Sequence, residues 1–139
     1  MMRNKPMLAY PVSAKPIDYS KPTFIQPKLD GVRCIIQYDK GGMPKAYSRT
    51  GKEWKNIDHI LFNLASWFAL NPKVILDGEL YNHDLRDDFE KIISLVRKTK
   101  PTDEDRVESA EKVQFHCYDV IDEVVSFNNR YMWYKNLYL

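Results

Sequence analysis

The chain has 139 residues, 44% hydrophobic and 13% aromatic, which is enough to bury a core and too apolar for a disordered chain. Its 21 basic and 19 acidic residues leave a net charge of +2, so the chain is no polycation, and any nucleic-acid contact must come from a local patch. Cys34 and Cys117 lie far apart, within apolar runs and outside C-x-x-C spacing; this predicts buried reduced thiols, not a disulfide or a zinc site.

No apolar stretch approaches the length of a membrane span, and Met1-Met2-Arg3-Asn4-Lys5-Pro6 lacks the apolar block of a signal peptide. These features predict a cytoplasmic protein without membrane contact. Pro6, Pro11, Pro16 and Pro22, with Pro27 just beyond, remove backbone donors and fix φ, which predicts an extended arm over residues 1–22. Residues 23–28 alternate, with Phe24, Gln26 and Lys28 on one face. Val32 to Tyr38 is rich in β-branched and aromatic residues, so the two segments predict a hairpin bent at Asp30-Gly31. Asp39-Lys40-Gly41-Gly42 ends that strand, and Lys45 to Arg49 returns as a short one.

Asn56 is the expected cap of a helix from Ile57 to about Asn71-Pro72, since Ile57, Ile60, Leu61, Leu64, Trp67 and Phe68 fall at helical spacing. Lys73 to Tyr81 reads as a strand buried on both faces at Val74-Ile75-Leu76. A second helix is expected over Leu85 to Lys98, then a solvated loop over Thr99 to Glu111. A strand follows over Lys112 to Val120, and a tyrosine-rich helix over Phe127 to Leu139. Strands and helices mix without a regular βαβ beat, so the fold class is α+β, a mainly antiparallel sheet with flanking helices.

Four short groups carry chemistry. Lys28-Leu29-Asp30-Gly31-Val32-Arg33 puts an amine, a carboxylate and a guanidinium within one strand-turn length. A lysine becomes nucleophilic when desolvation or a nearby cation lowers its pKa, and Arg33 with the buried strand after it is a candidate source of both. A plain Asp-Gly surface turn accounts for the hexamer equally well. In Leu76-Asp77-Gly78-Glu79-Leu80, alternation turns Asp77 and Glu79 to one face, where they suit ribose hydroxyls or a hard cation such as Mg²⁺. Ser48-Arg49-Thr50-Gly51-Lys52 places a guanidinium at a strand end, suited to an oxyanion, although a β-turn is the default reading. In Phe115-His116-Cys117-Tyr118-Asp119, Phe115 and Cys117 face the core while His116 and Tyr118 face outward, where tyrosine can stack on a nucleobase. His59, His83 and His116 show no metal-ligand spacing.

In this order and spacing, the four groups together with Pro6-Met7-Leu8-Ala9 resemble the ATP-dependent DNA ligases, within the covalent nucleotidyltransferases. The resemblance implies a ligase-type adenylation domain. Lys28 would attack the α-phosphate of ATP, release pyrophosphate and hold AMP, which then passes to the 5′-phosphate of nicked double-stranded DNA for sealing. It further implies that Glu79 contacts ribose, that Tyr118 stacks on adenine and that Gln26 touches adenine. Arg33 and Arg49 would engage ribose or nick phosphates, and Asp30 would position metal or nick terminus. ATP and Mg²⁺ are the implied cofactors, with Asp30 and Glu79 as metal candidates. DNA repair, replication or recombination in a bacterial or phage-infected cytoplasm is the implied setting.

The family's later acidic-Gly segment and Lys-x-Lys pair are not recognised after Asp119, nor is its small β-barrel OB-fold domain. Residues 23–139 are therefore expected to form part of an adenylation domain, weak or inactive alone and completed by a second polypeptide or a further C-terminal region. An RNA ligase or a capping-type nucleotidyltransferase is the alternative within the superfamily. Outside it stands a non-catalytic nucleotide-, DNA- or partner-binding remnant, in which Tyr131, Trp133, Tyr134, Leu137 and Tyr138 form an association face.

Overall fold

Residues 2–39, 41–122 and 125–135, apart from the side chains of Trp133 and Tyr134, are described by a computed structural model. Among them, strands β1 (Val32–Tyr38), β2 (Pro44–Tyr47), β3 (Ile75–Tyr81) and β4 (Gln114–Val120) form one antiparallel sheet in the order β2-β1-β3-β4. Period-two alternation sorts its two faces. Val32, Cys34 and Ile36 of β1 join Leu76 and Leu80 of β3 and Phe115 and Val120 of β4 on the core face. That face packs on α1 (Asp58–Leu70) through Ile60, Leu64 and Phe68, and on α2 (Phe89–Val96) through Ile92, Leu95 and Val96.

Both faces of β1 are buried, as the run Ile35-Ile36-Gln37 shows, and the N-terminal arm explains why. The Arg3 backbone N–H donates to Gln37 Oε1 at 2.9 Å, so the arm covers the second face from its first residues. Further along the same face, α4 (Phe127–Tyr134) packs on β4, and its Phe127 and Tyr131 rings meet Phe24 of the arm at 5.0 and 5.7 Å.

Four expectations need correction. Residues 23–28 form no strand and no hairpin with β1, whose partners are β2 and β3. The prolines at 22 and 27 deny that segment the donors a ladder needs. The supposed loop 99–111 contains α3 (Asp103–Lys112), opened by a capping box: Asp105 N–H donates to the Thr102 hydroxyl and Thr102 N–H donates to the Asp105 carboxylate. The long helix expected from Leu85 is a 3-10 turn at His83–Leu85 followed by the shorter α2.

Asn56 does not cap α1, whose N-cap is Ile57. With φ of 58° and only 4% exposure, Asn56 instead donates through Nδ2 to the carbonyls of Leu95 and Asp105, and its own carbonyl accepts from Ser109. It ties the start of α1 to α2 and α3. The expected helix over Phe127 to Leu139 is observed to Tyr134; Leu137 and Tyr138 lie outside the described residues. No helix among the described residues is long and apolar enough to cross a membrane.

Candidate active site

The sheet face turned away from α1 and α2 carries charge. β1 and β3 pair Arg33 opposite Glu79 and Ile35 opposite Asp77, which brings one guanidinium between two carboxylates. Arg33 Nε and Nη2 donate to the two oxygens of Asp77 at 2.7 and 2.6 Å, a bidentate pair whose carboxylate is 5% exposed. Arg33 Nη2 also donates to the Met7 carbonyl at 3.0 Å, so the same side chain pins the arm. The Asp77 partner raises the Arg33 pKa, while burial pushes the Asp77 carboxyl above its usual range despite the guanidinium.

Glu79 sits beside this pair. The Tyr118 hydroxyl donates to Glu79 Oε1 at 3.1 Å, and the Arg33 guanidinium lies 5.4 Å from the centre of the Tyr118 ring. Burial raises the pKa of Glu79 and of Tyr118, so the tyrosine is a firm hydroxyl donor at neutral pH. Simple alternation along β4 places Tyr118 on this face and Asp119 on the core face. The observed register pairs Asp77 with Asp119 but Gly78 with Cys117, so Tyr118 is the extra residue of a β-bulge. Tyr118 and Asp119 both line the site as a result. Asp119 accepts from Arg130 Nε of α4 at 2.7 Å and from Nη2 at 3.2 Å.

The two Asp-Gly steps owe their glycines to close packing and not to turns. Neither Gly31 nor Gly78 has a positive φ. A Cβ on Gly31 would stand 2.3 Å from the Leu80 carbonyl oxygen, and one on Gly78 would stand 2.3 Å from that of His116 and 2.7 Å from the Phe115 ring. Gly31 lets residues 26–30 press against β3, where its N–H donates to the Glu79 carboxylate. Across the core face, Gly78 separates Cys34 from Cys117. Cys34 is wholly buried and Cys117 is half-buried; burial raises both thiol pKa values, that of Cys117 to about 12. Both stay protonated at neutral pH.

These pieces enclose a cleft of about 480 Å³. Met7, Leu8 and Ala9 form one wall, Gln26 to Leu29 the other, and Arg33, Asp77, Glu79, Tyr118 and Asp119 the floor. Gln26 Nε2 donates to the Tyr118 carbonyl at 3.0 Å and anchors the second wall. Of the sequence-derived candidates, Gln26, Lys28, Arg33, Glu79 and Tyr118 converge here. Asp30 reaches the rim as the partner of Lys28. Arg49 does not line the cleft; it is exposed in the turn after β2.

The electrostatics of Lys28 reverse one expectation. Its side chain is 90% exposed, not desolvated, and Nζ lies 3.0 Å from Asp30 Oδ1. The hydrogen bond to Asp30 raises its pKa, so this conformation holds the ammonium. Among the described residues no group of three or more acidic, histidine or cysteine side chains is placed to hold a metal ion. Asp30 is engaged with Lys28, Asp77 with Arg33, and Asp119 with Arg130. Mg²⁺ readily keeps water and phosphate ligands, so this donor set suits a Mg²⁺ that arrives on a nucleotide.

Asp77, read from sequence with Glu79 as a carboxylate for ribose or a hard cation, is tied to Arg33, whereas Asp119, Arg130 and the Met7 carbonyl are site groups to which the sequence assigns no role. The Asp77-Gly78-Glu79 run already contained the signal for Asp77. Asp119 is concealed by the bulge, Arg130 carries no local pattern, and Pro6-Met7-Leu8-Ala9 flags Met7 without showing that its carbonyl accepts from Arg33.

Residues 6–132 match the family described as ATP dependent DNA ligase domain. Over 60 residues the chain is 38% identical to DNA ligases of African swine fever virus isolates from a South African tick and a Namibian warthog. That alignment covers 42% of this chain and 14% of each viral protein, so the chain spans a small part of the curated relatives it matches. Two solved structures, titled Pmar-Lig_Pre. and Pmar-Lig_PreS3, superpose with TM-scores of 0.58 and 0.57 at 20% and 19% identity. They cover 78% and 79% of this chain, which covers 25% and 26% of theirs. At such identity they speak to the fold, a four-stranded antiparallel sheet with flanking helices.

Proposed function

The chain belongs to the ATP dependent DNA ligase domain family, and on that premise we propose that it forms a covalent lysyl-AMP at Lys28 and passes the AMP to the 5′-phosphate of a DNA nick. The observation that carries this reading is the convergence of Gln26, Lys28, Arg33, Glu79 and Tyr118 around one cleft from three separate stretches of sequence.

In this reading MgATP is the substrate, and the cleft binds its adenosine between the two walls of the arm. Tyr118 offers a ring held upright by its bond to Glu79, and base–aromatic stacking is worth about 1–3 kcal/mol. Glu79, already accepting from Tyr118 and the Gly31 N–H, retains lone pairs on its carboxylate for ribose hydroxyls. Arg33 is a positioning residue that fixes Asp77 and the Met7 wall. Arg49 stands outside the cleft, where contact with nick phosphates suits it better than contact with the nucleotide.

Only the free amine of Lys28 has a lone pair to offer, so the ammonium first gives up a proton and leaves its pairing with Asp30. The amine then forms a bond to the α-phosphorus as the bond to the pyrophosphate oxygen breaks. Pyrophosphate departs with that electron pair, and the second amine proton passes to Asp30 or water. Alignment and electrostatic stabilisation supply most of the rate in such transfers.

A second reading draws on one observation: Lys28 is exposed and its ammonium is favoured by Asp30. It describes a nucleotide- or DNA-binding body without turnover of its own. Incubation with α-labelled ATP and Mg²⁺, followed by a chase with nicked duplex DNA, separates the two. The proposal predicts label on the protein that moves to DNA; the second reading predicts nucleotide or DNA binding with no covalent label. Labelling by GTP in place of ATP, or transfer to nicked RNA alone, would favour a capping enzyme or an RNA ligase.

A further inference from the structure

The net charge of +2 conceals a split. Residues 1–55 carry 11 basic against 4 acidic residues, and residues 56–139 carry 10 against 15. The fold separates part of this split: Asp77, Glu79 and Asp119 line the cleft, but further acids lie across the sheet from the arm. Acids of the second part ride on the helices of the core side, Asp58 on α1, Glu90 on α2, and Asp103, Glu104, Glu108 and Glu111 on α3. The basic part supplies the arm, which lies on the opposite face and builds both walls of the cleft.

Between those walls the arm makes an exposed excursion over residues 10–25. Two local turns shape it. Ala14 and Lys15 N–H both donate to the Pro11 carbonyl at 3.0 Å, and Lys21 N–H donates to the Asp18 carbonyl at 3.3 Å. Each turn presents a lysine. Lys15 Nζ lies over the Tyr10 ring, 5.5 Å from its centre, and Lys21 Nζ is 3.7 Å from Asp18, with side chains 78% and 57% exposed. A surface pair so exposed is screened and readily exchanged for another anion. Tyr10 and Tyr19 are 72% and 79% exposed. Pro11, Pro16 and Pro22 reduce the entropy that ordering this loop would cost.

From this arrangement we infer that residues 10–25 of the arm are a contact surface for duplex DNA beside the nick, with Lys15 and Lys21 engaging backbone phosphates. The inference rests on the ligase reading and adds the surface that holds the substrate outside the cleft. A duplex that brings its end to Lys28 must pass the mouth of the cleft, and the excursion springs from both sides of that mouth. Across the sheet α3, with five acids against Arg106 and Lys112, repels the same polyanion and disfavours approach from that side. Fluid contact with phosphate, not base readout, is what exposed lysines on turns provide.

The test measures affinity of the full chain for a nicked duplex across a salt series. Each phosphate contact contributes a slope of roughly 0.9 in log affinity against log salt. The double variant Lys15→Gln/Lys21→Gln is expected to lower the slope by about 1.8 while lysyl-AMP formation from MgATP stays at the wild-type level. The double variant Lys98→Gln/Lys100→Gln, on the helix side, is expected to leave the slope unchanged. An unchanged slope in the arm variant, or an equal fall in the helix-side variant, would overturn the inference. Adduct formation without salt-dependent DNA binding by the wild type would also overturn it and leave the Lys28 reading standing. DNA binding with the predicted arm dependence but no adduct would do the reverse.

Discussion

Arg33 grips Asp77 across strands β1 and β3 with two hydrogen bonds of 2.7 and 2.6 Å, and with the same guanidinium holds the Met7 carbonyl of the arm. One side chain thus joins the floor of the cleft to its wall. Removing one partner of such a buried pair leaves the other charged, desolvated and alone, which costs about 3–5 kcal/mol. Arg33→Met is therefore expected to lower unfolding free energy in urea by that amount. It should also expose the arm to proteolysis before the rest of the chain. A loss under about 1 kcal/mol, in the range of surface pairs, would show that the pair is not buried as described.

Gly78 separates two strands that no other residue would let approach. Gly78→Ala drives a methyl group against the His116 carbonyl and the Phe115 ring, and both belong to the sheet and core. Overpacking against such neighbours costs about 1–3 kcal/mol and more where backbone must move. The expected result is a large drop in thermal midpoint, and Gly31→Ala should behave alike because of the Leu80 carbonyl. Wild-type midpoints for both variants would contradict the packing.

Asn56 supplies a third check. Its side-chain amide satisfies the carbonyls of Leu95 and Asp105. Asn56→Ala leaves both without that donor, at about 1–3 kcal/mol for each buried group left unpaired. Chemical denaturation should show a loss within or above that range, with the cleft residues untouched. Near-neutral behaviour would mean that the three helices are not joined through this side chain.

Much of this could be read from sequence, and the failures have physical causes. The alternation of β3 correctly set Asp77 and Glu79 on the face away from the core, because a strand's side chains obey a fixed period. The amphipathic pattern of α1 was equally legible. Residues 99–111 look like a loop in sequence because α3 has few apolar positions and is held by its capping box and by ion pairs, such as that between Lys112 and Glu108 at 2.8 Å. A search for the Thr102-Asp105 cap would have found it. The bulge at Tyr118 was invisible, since one inserted residue changes which side Asp119 faces without any composition signal. The setting of Lys28 is hidden for a related reason: its side chain is exposed and pairs with Asp30 two residues away, so the neighbouring buried strand does not desolvate it.

Glu79 gives a pH-dependent prediction. Burial raises its pKa above the ordinary value of about 4.5 in the unfolded chain, so the folded state binds more protons in between. Its contribution to stability is therefore fullest below the unfolded pKa and declines as pH rises through the folded one. Glu79→Gln keeps an oxygen for the Tyr118 hydroxyl and removes the buried charge. The variant's thermal midpoint, relative to wild type, should rise between pH 4 and pH 7. A difference that stays constant or falls over that interval would contradict the burial of the carboxylate.

In the proposed reaction Lys28 is the nucleophile that accepts AMP. Intact-protein mass spectrometry after incubation with MgATP, with peptide mapping of the product, tests it at the residue. One added AMP is expected, located on Lys28, labile in acid as a phosphoramide and absent from Lys28→Ala, a variant expected to fold because the side chain is exposed. AMP attached to any other residue, or an equal adduct on Lys28→Ala, would contradict it.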